Sequence, residues 1–218
     1  MDTLPKGGTI TALKPQLKHK NRLSVFIDGE FAFGLDADVV AQFGLHVRQH
    51  VDAALLDEIL CSEEYQRACH RAFRFLATRA RSQKELEDRL ARYEYPPALI
   101  ARVVAKCKSL SYIDDRQFAF QYARSRVVQK PLGPDLLRRE LQKFGIHKAL
   151  RDEAVAQVYE ENSPLALALA LAEKRIARLR DLPPEKARAR LIGFLKRRGF
   201  DWDVVQQVLD AHREALKD

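Results

Sequence analysis

The chain has 218 residues, 46% of them hydrophobic and 31% charged, with a formal net charge of +8. That composition is too apolar for disorder and too broken by charge for a membrane helix, which needs roughly 18 consecutive apolar residues. Charge is uneven: residues 1–60 sum to −2, 61–112 to +5, 113–162 to +1 and 163–218 to +4. Basic character therefore belongs to the part after residue 60, and basic faces attract nucleic acid or acidic protein surfaces.

Met1 to Gly8 has no apolar core behind Lys6, so no secretory signal is expected. Cys61, Cys69 and Cys107 are odd in number and lack CxxC spacing, which fits reduced cysteines in the cytoplasm. The first 35 residues read as strands. Thr9 to Leu17 and Arg22 to Ile27 flank a polar turn, and Asp28-Gly29 then separates Ile27 from the run Glu30 to Leu35. A two-residue Asp-Gly loop between β-prone runs signals a hairpin, because its central positions need positive φ. Two short helices follow, Asp36 to Phe43 and Asp52 to Leu60, each opened by an aspartate cap.

Everything later reads as helix. Tyr65 to Arg79 carries an apolar stripe of Ala68, Ala72, Phe73, Phe75 and Leu76. Ser82 with Glu85 forms a capping box that starts the next helix. Pro96-Pro97, Asp114, Gly133-Pro134, Ser163-Pro164, Pro183-Pro184 and Asp201 mark later helix starts, while Gly145 and Gly199 are suited to left-handed stops. The triads Leu86, Leu90, Tyr95; Leu137, Leu141, Ile146; and Leu191, Leu195, Phe200 share one spacing and lie 51 and 54 residues apart. Such self-similarity means one helical unit stacked on itself. The expected fold is mostly α. It comprises three three-helix repeats (63–113, 114–162, 163–218) in an elongated solenoid, behind a small α+β head (1–62) with a three-stranded β-meander.

The order and spacing of these marks resemble the RecX family, bacterial regulators of the RecA recombinase. The likeness rests on Arg81-Ser82, Glu85-Leu86 and Leu90 in the first repeat. In the second it rests on Tyr112-Ile113-Asp114-Asp115, Phe118-Ala119, Leu132-Gly133, Arg139-Glu140-Leu141 and Gly145-Ile146. In the third it rests on Phe194-Leu195 through Arg198-Gly199-Phe200. It covers about residues 63–212, and the strand-rich start resembles an extension that some relatives carry. Glu94-Tyr95 departs from the Gly145-Ile146 and Gly199-Phe200 pattern and weakens the expected first stop. The resemblance implies a curved, elongated array of three-helix units, non-enzymatic and cofactor-free, that lodges in the helical groove of the RecA–single-strand DNA filament. There it would restrain ATP hydrolysis, strand exchange and coprotease activity in recombination, DNA repair and the SOS response.

The residues themselves offer no catalytic constellation. Gly7-Gly8 lacks the rest of a phosphate loop, and no GxGxxG or GxSxG run occurs. His46, His50, Cys61, Cys69 and His70 do not form a closed ligand set, so no metal is expected. Asp114 reads as a helix cap and Asp115 as a carboxylate favoured by the helix dipole, rather than as an acid–base pair.

Basic residues are the candidates for contact with RecA or DNA. Arg79, Arg81 and Lys84 bracket the first capping box, Arg138, Arg139 and Lys143 lie in the equivalent second-repeat helix, and Lys196, Arg197 and Arg198 end that of the third. Lys18, Lys20 and Arg22 gather at the first hairpin turn. Ordinary exposed helix positions also carry such residues, some within reach of Glu85, Asp88 or Glu140. Tyr93, Tyr95, Phe144, Phe200 and Trp202 recur near the ends of the second helices, where core packing accounts for them better than base stacking. The expected partner is the RecA filament, with single- or double-stranded DNA as a further contact, no membrane, and a monomeric state. The alternative is a sequence-nonspecific DNA-binding helical protein acting without RecA. An enzyme with a site between head and first repeat is a third reading and has no supporting constellation.

Overall fold

The computed structural model of the chain describes residues 7–17 and 19–214. Strands β1 (Gly8–Gln16), β2 (His19–Ile27) and β3 (Glu30–Asp36) form the expected antiparallel meander. At the β2–β3 turn Asp28 and Gly29 take φ of 51° and 93°, as the hairpin requires. The turn is also tied to β1: the Asp28 amide donates to the Thr9 carbonyl at 2.9 Å, and its carboxylate accepts the Thr9 amide at 3.0 Å. A fourth strand, β4 (His50–Val51), pairs with β1 and completes the order β3-β2-β1-β4. Two residues are too few to show an alternating pattern, so the sequence carried no sign of it.

Helix α1 (Ala37–Gln42) begins at Asp36, whose carboxylate accepts the Asp38 amide at 3.1 Å. Helix α2 runs from Ala53 to Leu76, capped by Asp52 through the Leu55 amide at 2.8 Å. The two separate helices expected over 52–60 and 65–79 are therefore one. No glycine or proline interrupts Cys61 to Glu64, and the apparent lapse in the apolar stripe is Glu63, a buried carboxylate. Glu63 pairs with Arg22 at 2.7 Å and accepts the Asp36 amide at 2.7 Å, which ties α2 to β2 and to the end of β3. Ile10, Val25, Ile27, Leu35, Val39, Leu45, Val51, Leu56 and Ile59 fill the core of this head.

Eight further helices follow: α3 (Gln83–Ala91), α4 (Pro97–Ser109), α5 (Asp115–Gln129), α6 (Pro134–Lys143), α7 (Lys148–Glu161), α8 (Pro164–Ile176), α9 (Pro184–Arg197) and α10 (Trp202–Ala211). Helices α2 to α10 thus form three successive triplets. The Ser82 capping box is complete, with the Glu85 amide on the Ser82 hydroxyl and the Ser82 amide on the Glu85 carboxylate, both at 3.2 Å. Asp114 and Asp201 cap α5 and α10 through the amides of Gln117 and Val204. Asp115 does more than complement a dipole: it accepts the Gln83 amide at 2.8 Å and so caps α3 from the start of α5.

The chain divides into two compact units. One is the described part of Met1–Thr78 with Arg89–Cys107; the other is Arg79–Asp88 with the described part of Lys108–Asp218. Within the second unit, Phe118, Ala123, Leu137, Leu141, Ile146 and Val155 center one core. Ala168, Ala172, Leu191, Leu195, Phe200 and Val208 center another. All six register leucines, Leu86 to Leu195, are fully buried.

Candidate interaction surface

The second helix of each triplet ends in a turn held by a left-handed residue: Glu94 (φ 61°), Gly145 (φ 76°) and Gly199 (φ 83°). In the second unit these turns dock on the start of the preceding triplet's second helix. The Gly133 amide donates to the Arg198 carbonyl at 2.7 Å and the Asp135 amide to the Gly199 carbonyl at 3.2 Å. The turn after α9 thereby satisfies amides at the start of α6 that the side-chain-less Gly133 cannot cap. The turn after α6 sits likewise against α3, where a Cβ on Gly145 would collide with the Lys84 side chain.

This packing sorts the predicted cations. Arg198 is half-buried, donates to the Pro131 carbonyl at 3.0 Å and lies over the Phe194 ring at 5.4 Å, so it fastens the α9 turn to α6. Arg79 and Arg81 both reach the Glu85 carboxylate, at 2.5 and 3.5 Å, and Lys84 pairs with Asp88 at 3.0 Å. Arg138 bridges Asp135 at 3.1 Å and Asp152 at 3.5 Å. Arg139, Lys143, Lys196 and Arg197 are exposed and make no carboxylate pair among the described residues; Arg139 donates to the Asp135 carbonyl at 3.2 Å. Arg22 does not project from a turn. It lies within β2, with its guanidinium on the Gly34 carbonyl at 2.8 Å and on Glu63. Lys18 and the side chain of Lys20 lie outside the described residues.

Register exposes a residue that charge clustering overlooked. Lys143 and Arg197 each stand six places after the first leucine of their triad, Leu137 and Leu191, and exposed Arg92 stands six after Leu86. Aligning the triads, rather than counting local charge, is the signal that finds it. A cation at a helix's last turn also complements the backbone dipole.

Between α5 and α6 a half-buried polar network supports the basic helix. Arg126 grips Glu140 with two bonds of 2.7 Å, and the Tyr122 hydroxyl donates to the same carboxylate at 2.9 Å. Burial, then the bond to Glu140, pushes the Tyr122 phenol up to about 12. Burial opposes the Glu140 charge, but the Arg126 and Tyr122 donors prevail and hold its carboxyl below the ordinary value. Burial likewise raises the Tyr159 phenol, which donates to the Leu132 carbonyl at 2.7 Å just before α6.

The aromatics divide. Phe200 is buried, and Phe144 packs edge-on against Phe118 and Tyr122 with centroids 5.3 and 4.9 Å apart. Trp202 is 51% exposed, and Tyr93, 44% exposed, lies beneath Arg71 at 4.2 Å. Gly44, in a left-handed conformation, separates α1 from His46, and among the described residues no group of three His, Cys, Asp or Glu side chains is arranged to hold a metal ion. No described helix is long and apolar enough to cross a membrane.

Comparison with known proteins agrees with this architecture domain by domain. The family model for the regulatory protein RecX N-terminal domain matches residues 8–52. Those for the first, second and third RecX three-helix domains match 68–107, 114–155 and 161–209. The regulatory protein RecX of Bacillus subtilis is 32% identical over 201 residues, covering 92% of this chain and 76% of that protein. Its counterpart in Levilactobacillus brevis is 30% identical over 200 residues, covering 92% and 74%. A crystal structure of a regulatory protein RecX superposes with a TM-score of 0.75 at 25% identity, covering 93% of this chain and 98% of that one. With the head and all three helical triplets matched in order, the chain belongs to the RecX family.

Proposed function

We propose that this chain regulates the RecA recombinase by binding the RecA–single-strand DNA filament and restraining its ATP hydrolysis, strand exchange and coprotease activity. It acts by binding, without catalysing a reaction, as a monomer in the cytoplasm. The observation that carries this reading is the ordered match of head and three helical domains to proteins named regulatory protein RecX. The exposed cations Arg139, Lys143, Lys196 and Arg197 on α6 and α9 support it, being available to an acidic filament groove. Arg79, Arg81, Lys84, Arg138 and Arg198 already hold intramolecular partners and contribute through the shape of that surface.

The test is the single-strand-DNA-dependent ATPase of the cognate RecA, with this protein titrated in below the RecA concentration. A fall in rate that persists in a large excess of DNA is the expected result. No effect, or one abolished by added DNA, would sink the filament reading in favour of DNA binding without RecA. The triple substitution Arg138→Ala, Arg139→Ala, Lys143→Ala should weaken inhibition, and full inhibition by that variant would remove α6 from the binding face.

A further inference from the structure

Helix α2 carries Arg67, His70, Arg71 and Arg74 at positions i, i+3, i+4 and i+7, so all four share one face. With Arg22 of β2 and Phe73 they line an open cleft of about 460 Å³. None of the four belongs to the cation clusters near the second helices, and the cleft lies wholly within the first unit.

The carboxylates around the cleft are engaged. Glu63 holds Arg22 and the Asp36 amide, while Asp36 caps α1 and meets His70 Nδ1 at 3.5 Å. Arg71 rests on the Tyr93 ring. Arg67 and Arg74 are exposed and have no ion-pair partner among the described residues. Like charges three and four residues apart weaken a helix. Glu63 and Glu64 precede Arg67 by four and three positions, but Arg71 and Arg74 have no carboxylate at such a spacing on α2, and a polyanion would offset their repulsion. Arg67 and Arg74 are seven positions apart, about 10 Å of helix at 1.5 Å per residue. Long, flexible Arg67 and Arg74 side chains can close that span onto neighbouring phosphates of an extended strand, which lie closer together than the two helix positions.

We propose that this cleft binds the phosphodiester backbone of a nucleic acid strand, with Arg67 and Arg74 each on a phosphate and His70 and Arg71 between them. Guanidinium forks match phosphate oxygens in bidentate geometry. A nucleic acid presents its phosphates along one continuous edge, as the one-sided row on α2 requires, whereas an extended acidic peptide alternates its carboxylates between two sides. The open cleft admits a passing chain, where a small free anion would call for an enclosed pocket.

The assignment goes beyond the RecA reading and is tested with RecA absent, so the two fail separately. Anisotropy of a labelled oligothymidylate is followed across a salt series for the full chain. Three variants accompany it: Arg67→Ala/Arg74→Ala, the charge-conserving Arg67→Lys/Arg74→Lys, and Lys148→Ala/Lys186→Ala, which removes equal charge from exposed positions on α7 and α9. Losing two phosphate contacts should reduce the log–log salt slope by about 1.4 and the affinity at 0.1 M salt by about 25-fold. The Arg→Lys pair should retain the slope, and the α7/α9 pair should leave it nearly unchanged. The proposal is overturned if the wild-type chain does not bind, if the α7/α9 pair has the same effect, or if the Arg67→Lys/Arg74→Lys pair behaves like the alanine pair. It is equally overturned if inorganic phosphate or polyglutamate, at matched ionic strength, displaces the strand as well as unlabelled oligothymidylate does.

Discussion

The amide of Gly133 donates to the carbonyl of Arg198 at 2.7 Å, joining the turn after α9 to the start of α6 backbone to backbone. Neither side of that contact has room for a side chain. A Cβ on Gly133 would run into the Gly199 carbonyl, and one on Gly199 into the backbone nitrogen and Cβ of Leu136. Close approach is what lets a main-chain carbonyl stand in for the missing side-chain cap on α6.

Gly199→Ala should therefore be costly. It combines a left-handed penalty of about 1–2 kcal/mol with an overpacking cost of about 1–3 kcal/mol. A loss of roughly 2–5 kcal/mol in urea unfolding is expected. A loss below about 0.5 kcal/mol, the scale of an ordinary surface change, would show that the two turns do not meet.

The first triplet makes the opposite prediction. Glu94 occupies the left-handed stop that glycine fills in the other two, with φ of 61°. Glu94→Gly relieves that conformation at some cost in unfolded-chain entropy, for a net gain of about 0.5 kcal/mol. In a chain of this size that raises Tm by about 1–2 °C. A lower Tm would mean that the Glu94 side chain contributes more than its backbone costs.

Arg198 and Arg197 are neighbours in sequence with separate duties. Arg198→Ala removes the bond to the Pro131 carbonyl and the stacking over Phe194, and should cost about 1–2 kcal/mol. Arg139→Ala, Lys143→Ala and Arg197→Ala combined should leave the melting curve nearly unchanged while weakening inhibition of the RecA ATPase. If the triple variant instead unfolds early and inhibits fully, the division between fastening and contact residues is reversed.

Glu140 makes stability depend on pH. Its folded carboxyl titrates below its ordinary value, so its contribution is complete above an unfolded value near ~4.3 and is lost as pH falls through the folded one. Glu140→Gln should cost about 1–3 kcal/mol at pH 7, where half-buried Arg126 loses its charged partner. The gap to the wild type should close well below pH ~4. Equal urea midpoint differences at pH 7 and pH 3 would show that the Glu140 charge contributes nothing.

Helix ends were legible because their signals are local. Ser82 and Glu85 bond across three residues, Asp114 and Asp201 reach amides three positions on, and Gly145 and Gly199 need only their own φ. The Asp28-Gly29 hairpin and the leucine register are legible for the same reason, since a turn and a helical period are written in adjacent residues. Helix α2 reads as two helices in the sequence because a carboxylate at Glu63 looks solvated until Arg22 and the Asp36 amide arrive from the sheet. Partners are where sequence reasoning stops. It could gather twelve cations but could not say that Arg22 and Arg198 are fasteners, that Arg138 bridges two aspartates, or that α2 assembles a basic cleft with β2. Sequence alone determined the three meander strands, the locally bonded caps, the glycine stops and the threefold helical register, because short-range hydrogen bonds and apolar periodicity decide them. The tertiary structure alone decided which charges are neutralised and which remain exposed, because that choice is made between side chains far apart in the chain and close only after folding.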